Sequence, residues 1–175
     1  KVFVVGNIGN PYTLEVLRTT EDSVTVGEIS SFQLETVRSF RPTVSAILNV
    51  TPDHMNRHHT MEAYVATKEA IAMNQTKEDI CVLNYENPYT LEFGERCPAS
   101  VVWFSSLKQL EEGYFLLDEE ICFAQKGKVE KLLHIHKDMN LVGICNVENV
   151  MAAIAIARGI GVPMETVLEV IRTFK

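Results

Sequence analysis

Short runs of β-branched and aliphatic residues, most of them stopped by glycine, asparagine or proline, alternate along this chain with segments of helical period. Val2 to Val5 is such a run, ended by Gly6-Asn7. Ser23 to Ile29 is a second, and Val44 to Val50 a third, bounded by Pro42 and by Thr51-Pro52. Ile80 to Leu83 and Ser100 to Phe104 continue the series. Between them, Pro11 opens an apolar-periodic stretch (Leu14, Val16, Leu17), a helix is predicted from about Met61 to Gln75, and a shorter one near Pro88 to Glu95. Strands alternating with helices predict a parallel sheet with right-handed crossovers.

From Gly113 the pattern changes. Tyr114 to Leu117, Ile121 to Ala124 and Val129 to Ile135 are close-set strand-like runs separated by polar or glycine turns. They predict a small antiparallel insertion at about 113–137. Asn146 to Arg158 then reads as a strong alanine-rich helix closed by Gly159 and Gly161, and Pro163 opens a last helix to about Phe174. The expected fold is one α/β domain over residues 1–175, with a mostly parallel sheet flanked by helices and a small antiparallel β insertion.

The formal charge is −7 and Lys plus Arg number only 16, which argues against a nucleic-acid surface, since phosphate backbones need clustered cations. The cysteines Cys81, Cys97, Cys122 and Cys145 are widely spaced, with no C-x-x-C pair, so a disulfide framework or structural zinc is not expected and a reducing cytoplasm is the default. No apolar run approaches the ~20 residues of a membrane span. Opening within a strand, with no leader, the chain reads as a piece of something longer.

Five places could carry chemistry. Glu28 falls on the same strand face as Val24 and Val26, at the carboxyl end of its strand, where open parallel sheets bind ligands. A carboxylate there is either paired within a site or simply solvent-facing, and the two readings weigh about equally. Lys68 sits in the middle of the helical stripe Met61, Tyr64, Val65, Ile71, Ala72. An ammonium in a packed stripe needs a partner, a chemical change, or a stem that snorkels outward. Asp53-His54 follows the third strand in a loop that also holds His58 and His59, suited to metal or phosphate contact, although a solvated loop is the commoner meaning of such a cluster. Asn146 and Asn149 share one side of a helix N-terminus; Asn146 has the usual N-cap residue type, whereas Asn149 is a turn too deep and could match an adenine edge. Gly6-Asn7-Ile8-Gly9 would allow close backbone approach to a ligand, without being a dinucleotide fingerprint.

Taken in order, Gly6-Asn7-Ile8-Gly9, the stretch Glu28 to Glu35 (EISSFQLE), the stretch Asn49 to His58 (NVTPDHMNRH), Tyr64 to Lys68 (YVATK) and Gly143 to Asn149 (GICNVEN) resemble the Mur ligase family, most closely its D-glutamate-adding branch. The resemblance spans essentially the whole chain. It implies a P-loop NTPase-like fold and an ATP-dependent amide-bond-forming ligase of peptidoglycan synthesis. There, UDP-N-acetylmuramoyl-L-alanine is activated as an acyl phosphate and D-glutamate attacks it. By the same resemblance Glu28 would ligate one Mg²⁺ shared with ATP, while His54 and a CO₂-carbamylated Lys68 would hold a second. Asn7, Ser30 and Gln33 would contact the UDP-sugar, and Asn146 and Asn149 would hold adenine.

Three departures accompany the likeness. The family's phosphate loop, of the form G-x-x-G-K-[ST], is not in these 175 residues, nor are the N-terminal UDP-binding and C-terminal domains, so the chain alone is expected not to turn over. Asn56 stands where the family usually has aspartate, and Cys145 where it has histidine. The competing readings are another ligase of the superfamily, either of the folylpolyglutamate type or a Mur ligase for the next cell-wall residue, and a non-catalytic nucleotide-sugar-binding module.

Overall fold

The structure is a computed structural model that describes residues 1–175. In chain order the strands are β1 (Val2–Gly6), β2 (Val24–Glu28), β3 (Val44–Ile47), β4 (Ile80–Asn84), β5 (Ser100–Ser105), β6 (Gly113–Leu117), β7 (Glu120–Gln125) and β8 (Lys128–His134). The helices are α1 (Tyr12–Glu15, continued as a 3₁₀ turn to Arg18), α2 (Ser31–Leu34), α3 (Met55–His58), α4 (Met61–Glu69), α5 (Pro88–Arg96), α6 (Ile135–Asp138), α7 (Ile144–Gly159) and α8 (Met164–Thr173). The strands form two sheets. β1 and β2 pair in parallel by themselves, while β3-β4-β5-β6-β7-β8 make a six-stranded sheet, parallel through β6 and antiparallel beyond.

Period-two alternation of apolar residues divides the core of the larger sheet. Val82 of β4 and Phe104 of β5 face α7, packing with Met151 and Ile154. Cys81 and Leu83 face the opposite layer, against Tyr64, Val65, Ala72 and Phe93 of α4, the turn after it, and α5. β4 is thereby covered on both faces, which is why its sequence is continuously apolar from Ile80 to Leu83. The predicted antiparallel insertion is not a separate lobe: β6 pairs in parallel with β5 and extends the sheet. Its hairpins turn through Asp118-Glu119 and Lys126-Gly127, all four with positive φ as a type I′ turn demands. Exposed Lys128, Glu130 and Lys131 then protect the edge strand β8 against further pairing.

Several sequence expectations shift. The continuous apolar run of β1 reads as a buried parallel strand, yet only Phe3 and Val5 are buried, whereas Val2 and Val4 remain 63% and 70% exposed. A two-stranded sheet with one covered face leaves its other face in water. For the same reason Leu14 and Leu17 of the α1 region, expected to pack, are exposed. The helix expected to run to Gln75 stops at Glu69 and tightens into a 3₁₀ turn through Ala72. The tighter turn delivers Gln75 into the core, where its amide donates to the carbonyls of Pro42 and Ile80 and accepts from Ser45 Oγ at 2.7 Å. No helix is long and apolar enough to cross a membrane.

Candidate functional site

The site is built at the carboxyl ends of the parallel strands, where chain reversals leave backbone and side chains unpaired. At the end of β1, Gly6 lies at φ 137° with its Cα against the partner strand; a Cβ there would stand 2.0 Å from the Glu28 carbonyl oxygen. Only glycine permits this approach, and it lets the Asn7 N–H donate to that carbonyl at 2.7 Å. The backbone around Asn7 and Glu28 is thus one hydrogen-bonded unit. The Glu28 side chain is exposed at the strand end, with no hydrogen bond or ion pair to another side chain.

Two residues later the chain enters α2 through a reciprocal cap. Ser30 Oγ accepts from the Gln33 N–H at 3.4 Å, and Gln33 Oε1 accepts from the Ser30 N–H at 2.9 Å. Ser30 and Gln33, expected on the UDP-sugar, are here engaged with each other.

The loop after β3 is fixed from beneath by two buried asparagines. Asn84 Nδ2 donates to the Leu48 carbonyl at 3.1 Å. Asn87 Nδ2 donates to Asn49 Oδ1 at 2.6 Å and to the Val50 carbonyl at 2.9 Å, while its Oδ1 caps α5. Neither asparagine was singled out in the sequence; the available signal was asparagine one place before Pro88, a helix-capping pattern. Beyond this anchor, His54 takes a left-handed backbone (φ 54°) that α3 starts from, and Asp53 Oδ1 accepts its N–H at 2.7 Å. The His54 ring is about half exposed, with Nε2 3.4 Å from Asp53 Oδ2.

No hydrogen bond or ion pair joins Glu28, His54 and Lys68 directly. A row of rings connects the last two instead. His54 contacts Phe32 at 4.9 Å between centroids, Phe32 stacks on His58 at 5.8 Å and 12°, and His58 meets Tyr64 at 5.0 Å. Lys68 Nζ then lies 5.0 Å from the Tyr64 centroid, a cation–π contact. Lys68 is half-buried, less so than its central place in the stripe implied, because its stem packs while its head rides on Tyr64. It has no anionic partner. On the outer side Arg57 donates to both Glu35 oxygens at 3.1 and 2.6 Å, and these hydrogen bonds hold the Glu35 carboxyl below its usual range.

The remaining predicted pair is displaced by about a turn. α7 starts at Ile144 behind Gly143, so Asn146 is not the N-cap; its amide reaches back to donate to the Val142 carbonyl at 2.8 Å. Asn149 is exposed, free for a ligand. Between them Glu148 accepts from Ser106 Oγ at 2.5 Å, which ties the first turns of α7 to the end of β5. Cys145 is an exposed thiol.

No group of three or more His, Cys, Asp or Glu side chains is arranged to hold a metal ion. Mg²⁺ is commonly held by one or two carboxylates together with phosphate oxygens and water, not by an all-protein cage. An exposed Glu28 carboxylate, a half-exposed His54 and an unpartnered Lys68 fit that mode. Lys68 itself fits only once its nitrogen carries an anionic oxygen group.

The sequence of the Mur ligase middle domain, as a family model, matches residues 4–157. The chain belongs to the Mur ligase family. Among curated relatives, a UDP-N-acetylmuramoylalanine–D-glutamate ligase of Lachnospira eligens is 55% identical over 175 residues, covering 100% of this chain and 39% of the relative. One of Lachnoclostridium phytofermentans is 52% identical, covering 99% and 38%. This Mur ligase segment therefore spans under two-fifths of the length of the curated relatives it matches. MurF of Acinetobacter baumannii superposes with a TM-score of 0.67 at 15% identity, over 99% of this chain and 46% of that one. MurF of Thermotoga maritima, solved in complex with ADP, gives 0.66 at 16% identity, over 99% and 42%. These two likenesses fix the fold, and they agree with the α/β architecture expected from the sequence.

Proposed function

We propose that residues 1–175 act as the nucleotide-handling middle domain of an ATP-dependent ligase that joins D-glutamate to UDP-N-acetylmuramoyl-L-alanine. The observation that carries the reading is 55% identity over the whole chain to a ligase of that name. The ADP complex of the Thermotoga MurF supports ATP as the nucleotide. Four unpaired cysteines suit a reducing cytoplasm, where the UDP-linked substrate would be met.

In this reading the L-alanine carboxylate attacks the γ-phosphorus of ATP, giving an acyl phosphate and ADP. The D-glutamate amine then attacks the acyl carbon, phosphate leaves as the C–N bond forms, and the nitrogen gives up a proton. The residues of this chain chiefly position the reactants. Glu28 and His54 present an oxygen and a nitrogen at the strand ends, and Asn149 presents a paired donor and acceptor toward adenine. Asn7, Ser30 and Gln33 lie at the mouths of β1 and β2 for the UDP-sugar; Ser30 and Gln33 would exchange their mutual bonds for bonds to substrate. Asn146 holds the turn entering α7. Lys68, as a neutral amine, adds to CO₂ with loss of one proton and becomes a carbamate. Mg²⁺ ions, held by Glu28 and by His54 with carbamylated Lys68, would supply neutralisation of charge on the phosphoryl oxygens.

The test is phosphate release dependent on both UDP-N-acetylmuramoyl-L-alanine and D-glutamate, in the longer ligase chain that carries this segment. Lys68→Ala there is expected to lower kcat at least ~100-fold. The isolated 175 residues are expected to show no turnover. Full activity of Lys68→Ala would refute the role given to the lysine, and indifference to D-glutamate would refute the substrate.

A further inference from the structure

Of the three histidines in the 53–60 segment, His58 is the one the fold encloses. Its side chain is 4% exposed, against 46% for His54. Its Nε2 lies 3.0 Å from the buried hydroxyl of Ser31, twenty-seven residues earlier in the chain. One face stacks on Phe32 of α2, and Tyr64 of α4 abuts the ring. A single imidazole therefore touches α2, belongs to α3 and supports α4. Each of those elements carries one member of the proposed site. Glu28 lies two residues before the Ser30 cap of α2, His54 is the residue from which α3 starts, and Lys68 lies one turn after Tyr64 on α4.

We infer that His58 is a positioning residue of the ligase: through Ser31, Phe32 and Tyr64 it fixes how Glu28, His54 and Lys68 stand relative to one another. This rests on the ligase reading above. α3 and α2 are already fastened on the outside by Arg57 and Glu35, with Arg57 largely exposed, and exposed ion pairs hold elements together only weakly. The inner bond does something the outer one cannot. A buried hydrogen bond to Ser31 sets the rotation of the imidazole. The imidazole plane then sets Phe32, on which His54 rests, and Tyr64, on which the Lys68 ammonium rests. Apolar filling of the same space would keep the packing and lose the direction.

Ser31→Ala, His58→Phe and His58→Gln, made in the longer ligase chain, test this. Ser31→Ala and His58→Phe are expected to stay folded by thermal unfolding and to lower kcat about tenfold to a hundredfold, as misplacement by an ångström does. KM for D-glutamate should be unchanged, the Mg²⁺ concentration for half-activation should rise, and exchange of the His58 and His59 amide protons should quicken. His58→Gln, which keeps a polar atom for Ser31, should recover part of the loss. Folded variants with wild-type kcat and Mg²⁺ dependence would overturn the inference, as would a loss that merely follows the fraction folded. Should His58→Phe fail to fold, Ser31→Ala decides the matter, since it removes one oxygen only. A parent chain that releases no phosphate at all would refute the ligase reading instead.

Discussion

Asn87 joins the candidate site to the stability of the domain, and substitution there separates two roles that one side chain performs. It is 8% exposed. Its Oδ1 accepts from the N–H groups of Tyr89 and Thr90 at 3.2 and 3.3 Å, capping α5, and its Nδ2 donates to Asn49 Oδ1 and the Val50 carbonyl. Removing an N-cap costs about 1 kcal/mol. Leaving the Val50 carbonyl buried without its donor costs a further ~1–3 kcal/mol. Asn87→Ala is therefore expected to destabilise by roughly 2–4 kcal/mol, a sizeable part of the 5–15 kcal/mol typical of a domain. At about 2–4 °C per kcal/mol for this size, the thermal midpoint should fall by roughly 4–16 °C. Asn87→Ser keeps an acceptor for the cap and loses the tether, so roughly half to three-quarters of the loss should remain. In both variants, amide exchange in the loop from Val50 to Met55 should accelerate, because that loop hangs from Asn87. A fall of less than about 2 °C in Asn87→Ala, with exchange in the loop unchanged, would refute the anchoring role.

Further outcomes follow from the same geometry. Gly6→Ala would place a methyl group 2.0 Å from the Glu28 carbonyl oxygen at a backbone conformation L-residues avoid. It should cost more than ~2 kcal/mol and expose β1 and β2 to proteolysis; an intact β1–β2 register by amide exchange would contradict this. For Glu35, hydrogen bonding to Arg57 lowers the folded pKa, so its stabilisation is complete above the ordinary glutamate range and is lost as pH falls through the lowered value. The difference in thermal midpoint between the wild type and Glu35→Gln should accordingly shrink as pH falls below about 4; a constant difference would count against the bridge.

The sequence by itself determined the order and type of most elements. Where β-branched runs end in glycine, asparagine or proline, the strands form as expected, and the runs at 114–117, 121–124 and 129–135 form the expected antiparallel hairpins. These are local decisions, set by turn chemistry and by side-chain periodicity. The stripe containing Lys68 and the strand-end place of Glu28 were legible for the same reason. Boundaries set by tertiary context were not. α4 ends early because Gln75 must reach the backbone of β4, and α7 begins early because Gly143 can take a positive φ.

What only the tertiary structure decided is which residues meet across long separations. Nothing local to His58 distinguishes it from His54 or His59; its role comes from Ser31 and Tyr64, which fold around it. Gly6 reads as one more turn glycine until β2 comes alongside and leaves no room for a Cβ. Asn87 reads as a helix cap until the loop after β3 settles on its free amide. Burial follows the same division. The continuous apolar run of β1 predicts a strand, but whether its faces are covered depends on how many layers pack against it, a property of the assembled fold and not of any segment's sequence.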